Sequence, residues 1–170
     1  MKRLILLRHA KSSWKHPNLP DFQRPLNKRG KSDAPAMAQR MLELQIKPDL
    51  IISSPAKRAL TTANIMAEKL GFDAALIIKE PEIYEGSIST LLYVIRNLDS
   101  DATCVMIVGH NPGFTYLANQ LTGTRIDNVP TCGIVCVDFK CETWFEVEKE
   151  HGKLVFFDFP KNSSGPIKLL

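Results

Sequence analysis

Two histidines and two arginines stand close behind short apolar runs of the sequence. Arg8 and His9 follow the first run, Arg58 follows the second, and His110 follows a later one. Continuous apolar runs are typical of strands that are buried on both faces of a parallel sheet. Ligands bind beyond the carboxyl ends of such strands, where loops and helix N-termini converge. We therefore expect these four side chains to meet at one edge of a sheet.

This set of side chains suits phosphoryl transfer through a phosphohistidine. A neutral imidazole attacks phosphorus without a separate base, and the sequence has neither a G-x-S-x-G serine motif nor a paired-aspartate metal motif. The planar guanidinium group matches phosphate oxygens and stays charged, so arginines can hold the phosphoryl group and stabilise charge that spreads over it. Neighbouring guanidinium groups also disfavour imidazolium, which keeps the nucleophile unprotonated.

Strands must alternate with helices along the chain to bring these residues together at one sheet edge. Short apolar runs do alternate here with longer amphipathic segments. The apolar runs predict strands at 4–7, 50–53, 75–78, 104–108, 133–139, 143–148 and 153–159. The amphipathic segments between the first four of these strands, and the one after the fourth, predict helices. Because helices dominate the first part and strands the last, we expect an α/β three-layer sandwich. Its central sheet is mainly parallel and is extended by antiparallel C-terminal strands.

Two starts are open for the first helix. Asn27 as the N-cap leaves Pro35 inside the helix, whereas Ser32 or Asp33 as the N-cap puts Pro35 in the first turn, where proline is tolerated.

The signals at the other helix ends and at the predicted hairpin are clearer. Ser54 as N-cap, Pro55 at the first helical position and Gly71 just past the end agree on a helix between them. Asn111-Pro112 predicts the start of another helix, and His151-Gly152 predicts a hairpin between the last two strands.

Composition sets the class of molecule. The chain has 170 residues, of which 44% are hydrophobic and 24% charged, and a formal net charge of +4. This excludes disorder, collagen and coiled coil, and the length fits one domain, which we place at 1–170. The small positive surplus does not indicate a nucleic-acid partner, but it suits an anionic ligand if the charges are concentrated in one place.

The cysteines and the uncharged segments indicate the compartment. The cysteines, at positions 104, 132, 136 and 141, include no C-x-x-C pair, so a structural zinc site is not expected. Free cysteines suit a reducing compartment. The longest stretch without charged residues, 102–124, contains Gly-His-Asn-Pro-Gly, which lipid would not tolerate. Too few apolar residues precede Arg8 for a signal-peptide core. We expect a cytoplasmic protein without a membrane partner.

Three segments resemble the signatures of the histidine phosphatase superfamily, also called the phosphoglycerate mutase-like family. They are Leu7-Arg8-His9-Ala10, Ser54-Pro55-Ala56-Lys57-Arg58-Ala59 with Thr62-Ala63, and Gly109-His110-Asn111-Pro112. The short length also resembles the small SixA-type phosphohistidine phosphatases, as do Arg24-Pro25-Leu26 followed by Gly30, Thr143-Trp144-Phe145 and Phe159-Pro160. The resemblance covers about residues 3–160 and implies the phosphoglycerate mutase-like fold.

The resemblance also implies roles for individual residues. His9 is the nucleophile that becomes phosphorylated, and Arg8, Arg58 and His110 complete the phosphate pocket. Arg24 is a further phosphate ligand of the SixA type. Neither a metal nor a cofactor is implied.

Two features depart from the family pattern. The superfamily usually has glycine after the first histidine, whereas this chain has Ala10. Larger members use a glutamate after the third strand to protonate the leaving oxygen, and Glu85 is the positional candidate here. SixA-type members often lack a convincing acid, so Glu85 is either the proton donor or a solvated loop carboxylate. Two interpretations are also open for Trp14, which either lines the pocket mouth or packs within its loop.

The sequence therefore predicts a metal-independent phosphatase that acts through phospho-His9 on a phosphohistidine protein or a small phosphomonoester. One alternative is a phosphoglycerate mutase-like phosphotransferase, which would use the same pocket. Another is a phospho-dependent binding module without turnover, although a pure binder has no use for a nucleophile.

Overall fold

The structure, a computed structural model, describes residues 1–166; residues 167–170 of the predicted domain lie outside the described residues. Its strands are β1 (Lys2–Arg8), β2 (Leu50–Ser53), β3 (Ile78–Lys79), β4 (Cys104–Gly109), β5 (Ile134–Phe139) and β6 (Lys153–Asp158). Its α-helices are α1 (Lys28–Glu43), α2 (Lys57–Leu70), α3 (Ile88–Arg96) and α4 (Gly113–Thr122). Short 3-10 helices cover Asp21–Gln23, Ala74–Leu76, Pro81–Ile83 and Trp144–Glu146.

The six strands form one sheet in the order β3-β2-β4-β1-β5-β6. β1, β4, β2 and β3 run parallel, whereas β5 and β6 are antiparallel to their neighbours. Arg8 is level with Gly109 on β4, and Ser53 is level with Val108 on the same strand. The carboxyl ends of the three strands that precede the predicted site residues therefore lie side by side.

The side chains of β1 alternate between two cores. Ile5 and Leu7 pack with buried residues of α1 and α2, whereas Leu4 and Leu6 pack with those of α3 and α4. Because successive side chains of a strand point to opposite faces, a strand with helices on both sides is apolar throughout. The expected three-layer α/β sandwich with antiparallel C-terminal strands is confirmed. No helix within residues 1–166 combines the length and the apolar character that a membrane span requires.

Of two predicted strands, 75–78 is right only at Ile78 and 143–148 is wrong, because local caps fold the chain differently. In 75–78 the Asp73 side chain accepts the Ala75 N–H, so Ala74–Leu76 is a 3-10 helix and only Ile78–Lys79 joins the sheet. In 143–148 the Thr143 and Glu146 side chains form a capping box around a second 3-10 turn.

The predicted hairpin at His151-Gly152 is also wrong. The segment before it contains no strand, and β6 pairs instead with β5. Gly152 lets the backbone pass close to Leu121 of α4, because a Cβ at position 152 would lie 2.8 Å from the carbonyl oxygen of Leu121.

The structure decides between the two starts that the sequence leaves open for the first helix, and it also tests the predicted bounds of the second. Asn27 caps α1, since its side chain accepts the Gly30 N–H at 2.9 Å, and Pro35 lies inside the helix. The N-cap predicted at Ser54 is wrong: Ala56 occupies that position and α2 begins at Lys57. The predicted end of α2 is confirmed, with Gly71 in the left-handed conformation at φ 75°.

The first turn of α1 lies against the loop that follows β1. A Cβ on Gly30 would lie 2.2 Å from the carbonyl oxygen of Lys11, two residues beyond His9. Because the obstacle is backbone, it cannot move aside without shifting the loop.

We expect Gly30→Ala to lower the free energy of unfolding by about 1–3 kcal/mol, the usual cost of overpacking. Urea unfolding measures this, with the exposed Lys31→Ala on the same helix as the control. Equal stability of the two variants would show that the loop yields freely.

Candidate active site

His9 lies buried directly after β1, with 6% of its surface exposed. Its Nδ1 lies 2.8 Å from the carbonyl oxygen of Ala10, and the Arg58 Nε–H points at its Nε2 across 3.4 Å. A carbonyl oxygen only accepts and an arginine Nε–H only donates. The proton of the neutral ring is therefore on Nδ1, and Nε2 carries a lone pair that faces the arginine.

His110 lies next to His9, and the two ring centroids are 5.2 Å apart. Its Nε2 is 2.8 Å from the Oγ of Ser54, which also accepts the Ala56 N–H. Ser54 therefore does not cap α2 as expected from the sequence, but orients the second histidine. With Ser54 as the donor to Nε2, the Nδ1–H of His110 is free to donate to a ligand.

Three arginines surround the two rings. Arg24 and Arg58 are buried, and Arg8 is partly buried. Arg8 donates from Nη1 to the carbonyl oxygen of Val129 at 3.0 Å, and Arg24 donates from Nη2 to the hydroxyl of Ser12. These contacts hold the guanidinium groups of Arg8 and Arg24 by one end each.

Several buried polar atoms of the site have no hydrogen-bond partner within residues 1–166. They are Nε of Arg8, Nε of Arg24 and Nδ1 of His110. Leaving a buried donor unpaired costs roughly 1–3 kcal/mol, and more for a charged group. Three such atoms around one pair of histidines indicate a site for an anion with several oxygen atoms, as phosphate has.

Burial lowers the pKa of both histidines. It is the main reason why the pKa of His9 is about 3, and the positive charge of Arg58 and the neighbouring ring add to it, against the hydrogen bond with Ala10. Burial, followed by the charge of Arg58, likewise lowers the pKa of His110 to about 4. Both rings are therefore neutral near pH 7, as a nucleophile and a hydrogen-bond partner require.

Asp21 is the site residue that sequence reasoning missed. Its carboxylate accepts from Nη2 of Arg58 at 3.0 Å and its carbonyl oxygen accepts from Nη1 at 2.8 Å. The Tyr84 hydroxyl donates to the same carboxylate at 2.6 Å. That hydrogen bond, followed by those from Arg58, lowers the pKa of Asp21, so the carboxylate is ionised. The one signal in the sequence was its spacing of three residues from Arg24, whose Nη1 lies 3.6 Å away.

Glu85 lies at the rim of the site rather than within hydrogen-bond reach of the histidines. It is exposed, its backbone has φ 57°, and it lines a cavity that also includes Arg58 and His110. The structure thus brings Arg8, His9, Arg24, Arg58 and His110 together, with Glu85 at the edge of the group.

Trp14 packs on one of the arginines of the candidate site. Its ring stacks on the guanidinium group of Arg24, whose Cζ lies 3.5 Å from the ring centroid, while 75% of the residue is exposed. The ring thus packs within its own loop region, on a residue of the candidate site. The buried arginine gains a cation–π contact, and the other ring face meets solvent.

Comparison with known proteins agrees with this geometry. The family model for the histidine phosphatase superfamily (branch 1) matches residues 4–91. An uncharacterized chloroplastic protein of Arabidopsis thaliana is 36% identical over 153 residues, which cover 85% of this chain and 70% of the relative.

Solved structures give the same result. A structure assigned as a phosphohistidine phosphatase SixA from Agrobacterium tumefaciens is 28% identical, with a TM-score of 0.78 over 94% of this chain and 98% of that one. The fold also matches a protein histidine phosphatase SixA complexed with tungstate, at a TM-score of 0.80, 19% identity, and the same coverage of 94% and 98%. The chain belongs to the histidine phosphatase superfamily, and its structure is of the SixA type.

Proposed function

We propose that the protein is a metal-independent phosphatase that works through a covalent phosphate on Nε2 of His9. Membership of the superfamily supports phosphatase activity in general. The observation that carries the mechanism is the arrangement of His9 itself: Ala10 holds the proton on Nδ1, and the lone pair of Nε2 lies beside the cation of Arg58. A neutral nucleophile next to a phosphate-binding cation is what attack on a phosphoryl group needs.

In the first step the Nε2 lone pair attacks phosphorus and forms a P–N bond. The bond from phosphorus to the leaving atom breaks, its electron pair stays with the leaving group, and that group takes up a proton. In the second step a water oxygen attacks phosphorus, the P–N bond breaks, and inorganic phosphate leaves as Nε2 regains its lone pair. Arg8, Arg24, Arg58 and His110 hold the phosphoryl oxygens in both steps.

We assign the proton donor of the first step to Glu85, which becomes a carboxylate as the leaving group takes its proton and regains a proton from the attacking water in the second step. It lines the cavity beside Arg58 and His110, where a leaving group would lie. The carboxylate of Asp21 lies nearer to Arg58, but its lowered pKa leaves it without a proton to donate.

The proposed substrate is a phosphohistidine protein or a small phosphomonoester. The cavity beside Arg58 and His110 supports a substrate that extends beyond its phosphoryl group, and the exposed ring of Trp14 on Arg24 supports a further aromatic contact. We also propose a cytoplasmic location, because all four cysteines are free thiols and two of them are buried.

We expect His9→Ala to abolish turnover, because no other side chain presents a lone pair at that point. During reaction with a phosphate ester, wild-type protein is expected to carry acid-labile, base-stable phosphate that the variant lacks. Phosphate release and protein-bound phosphate measure the two effects, with the exposed His16→Ala as the control. Full activity of His9→Ala would overturn the mechanism, and loss of wild-type activity on addition of EDTA would overturn its metal independence.

Arg58→Ala is expected to lower kcat/KM by about one to two decades. A charge-assisted hydrogen bond contributes roughly 1.5–3 kcal/mol, and each 1.4 kcal/mol corresponds to about tenfold. Arg29→Ala is the control, since that arginine is exposed on α1. A loss no larger than that of the control contradicts a role for Arg58 in phosphate binding.

The lowered pKa values of the histidines predict how stability depends on pH. The unfolded chain binds protons at both rings as the pH falls below about 6.5, whereas the folded protein does so only near pH 4 at His110 and near pH 3 at His9. The stabilisation is therefore complete above about pH 6.5 and is lost as the pH falls through this range.

We accordingly expect wild type to lose more free energy of unfolding between about pH 7 and about pH 4 than a His9→Asn/His110→Gln variant does. Urea unfolding at both pH values measures the difference, and the shared carboxylate titrations cancel in the comparison. An equal loss in both proteins would show that the histidines accept protons in the folded state.

A further inference from the structure

A cavity of about 570 Å³ opens beside the phosphate pocket, on the side of Arg58 and His110. Its volume lies in the range of small-ligand sites, about 300–1,000 Å³. One wall is the segment from Ile83 to Leu91, and the other is the start of α4. The walls approach closely where a Cβ on Gly113 would lie 3.0 Å from the carbonyl oxygen of Gly86.

The cavity is continuous with the catalytic groups. Arg58 and His110 line it, and the ring of Tyr84 packs edge-on against His110 with centroids 5.4 Å apart. A phosphoryl group held by Arg58 and His110 would direct the remainder of its molecule either to solvent or into this space. The cavity is therefore placed to take the leaving group.

The walls are apolar and aromatic, and the charges at the mouth are mostly negative. Ile88, Leu91 and Tyr116 supply much of the apolar lining, and Asp21 and Glu85 supply two carboxylates. Within residues 1–166, Arg58 is the one lysine or arginine that lines the cavity, and Asp21 already binds both of its Nη atoms. His110 is neutral near pH 7 because burial lowers its pKa to about 4.

This distribution of charge discriminates between cationic and anionic leaving groups. Because Asp21 and Arg58 offset each other, a carboxylate or a second phosphate in the cavity would face the unbalanced carboxylate of Glu85, whereas an ammonium group would be attracted to it. A neutral ring would gain the apolar and aromatic contacts at little electrostatic cost. The carboxylates are partly exposed, so the effect is moderate and salt weakens it.

We propose that the cavity is a leaving-group site that selects neutral or cationic, partly apolar groups and rejects anionic ones. The proposal rests on the phosphatase function given above and narrows its substrate class. It favours phosphoryl groups carried on an imidazole, an amine-bearing alcohol or a phenol. It disfavours phosphate esters whose other end is a carboxylate or a second phosphate, such as phosphoglycerates.

Three phenyl phosphates that differ only at the para position test this selectivity. Their substituents are 2-aminoethyl, ethyl and 2-carboxyethyl, so the scissile bond and the phenol ring are shared while the distal charge is positive, absent or negative. We expect kcat/KM for the ammonium ester to exceed that for the carboxylate ester by about tenfold at low ionic strength, and the ratio to shrink with added salt.

Variants at Glu85 test whether the cavity causes the ratio of kcat/KM between the ammonium and the carboxylate ester. Glu85→Gln should reduce the cation-to-anion ratio and Glu85→Lys should reduce it further or invert it. A loss of proton donation affects all three esters alike and cancels in the ratio. Glu82→Gln is the matched control, because that exposed carboxylate lies three residues before Glu85 in the chain but does not line the cavity.

The outcomes separate this inference from the function on which it rests. Equal rates for the three esters, a preference for the carboxylate ester, or an unchanged ratio in Glu85→Lys overturns the selectivity while leaving the phosphatase in place. If wild type hydrolyses none of the esters, the proposed function is in question. Calorimetric binding of the same esters to His9→Ala then decides the selectivity, since binding needs no turnover and the same order of affinities is expected.

Discussion

The active site depends on one buried cation. Arg58 is 7% exposed and directs its Nε at the lone pair of His9 across 3.4 Å. A guanidinium group taken out of water needs a counter-charge, and Asp21 supplies it through both its carboxylate and its carbonyl oxygen. The same two bonds fix the plane of the guanidinium group and so aim Nε at the nucleophile. One charge therefore repels a proton from His9 and holds the segment around Asp21 in place, and in the proposed mechanism it also attracts the phosphate.

The sheet fixes the positions from which these side chains extend. The His9 N–H donates to the carbonyl oxygen of Gly109 at 2.9 Å, and the Ser54 N–H donates to that of Val108 at 2.9 Å. From the other side, the Cys132 N–H reaches the carbonyl oxygens of Arg8 and His9 at 3.1 and 3.0 Å. Each catalytic loop thus begins with a backbone hydrogen bond to an adjacent strand or loop. A site that must hold its geometry within about half an ångström needs such supports.

The sequence predicted the parts of this arrangement that follow from burial and from strand ends. The runs at 4–7, 50–53 and 104–108 are apolar except for Ser53, as is typical of strands that helices cover on both faces, and their ends locate His9, Arg58 and His110. Asp21 could not be found in this way. It lies in a loop without hydrophobic periodicity, and its partners Arg58 and Tyr84 are 37 and 63 residues away along the chain.

Other differences have the same origin in tertiary contacts. Ser54 has the residue type of a helix cap, but its hydroxyl bonds to His110, and a local sequence pattern cannot choose between these two uses. At 143–148 the apolar residues suit a strand, yet the Thr143–Glu146 capping box bends the chain. The bend lets the buried Trp144 donate from Nε1 to the carbonyl oxygen of Ala102 at 2.8 Å.

Charge is divided within the site, which the net value of +4 does not show. Arginines surround the two histidines, whereas Glu85 lies at the rim. Asp21 lies among the arginines, because its carboxylate pairs with Arg58 and lies 3.6 Å from Arg24. Asp21 offsets part of the charge of the arginines and leaves the Nε of Arg58 directed at His9. The positive charge next to the two histidines is therefore smaller than the number of arginines suggests, because one of the three is already paired with a carboxylate.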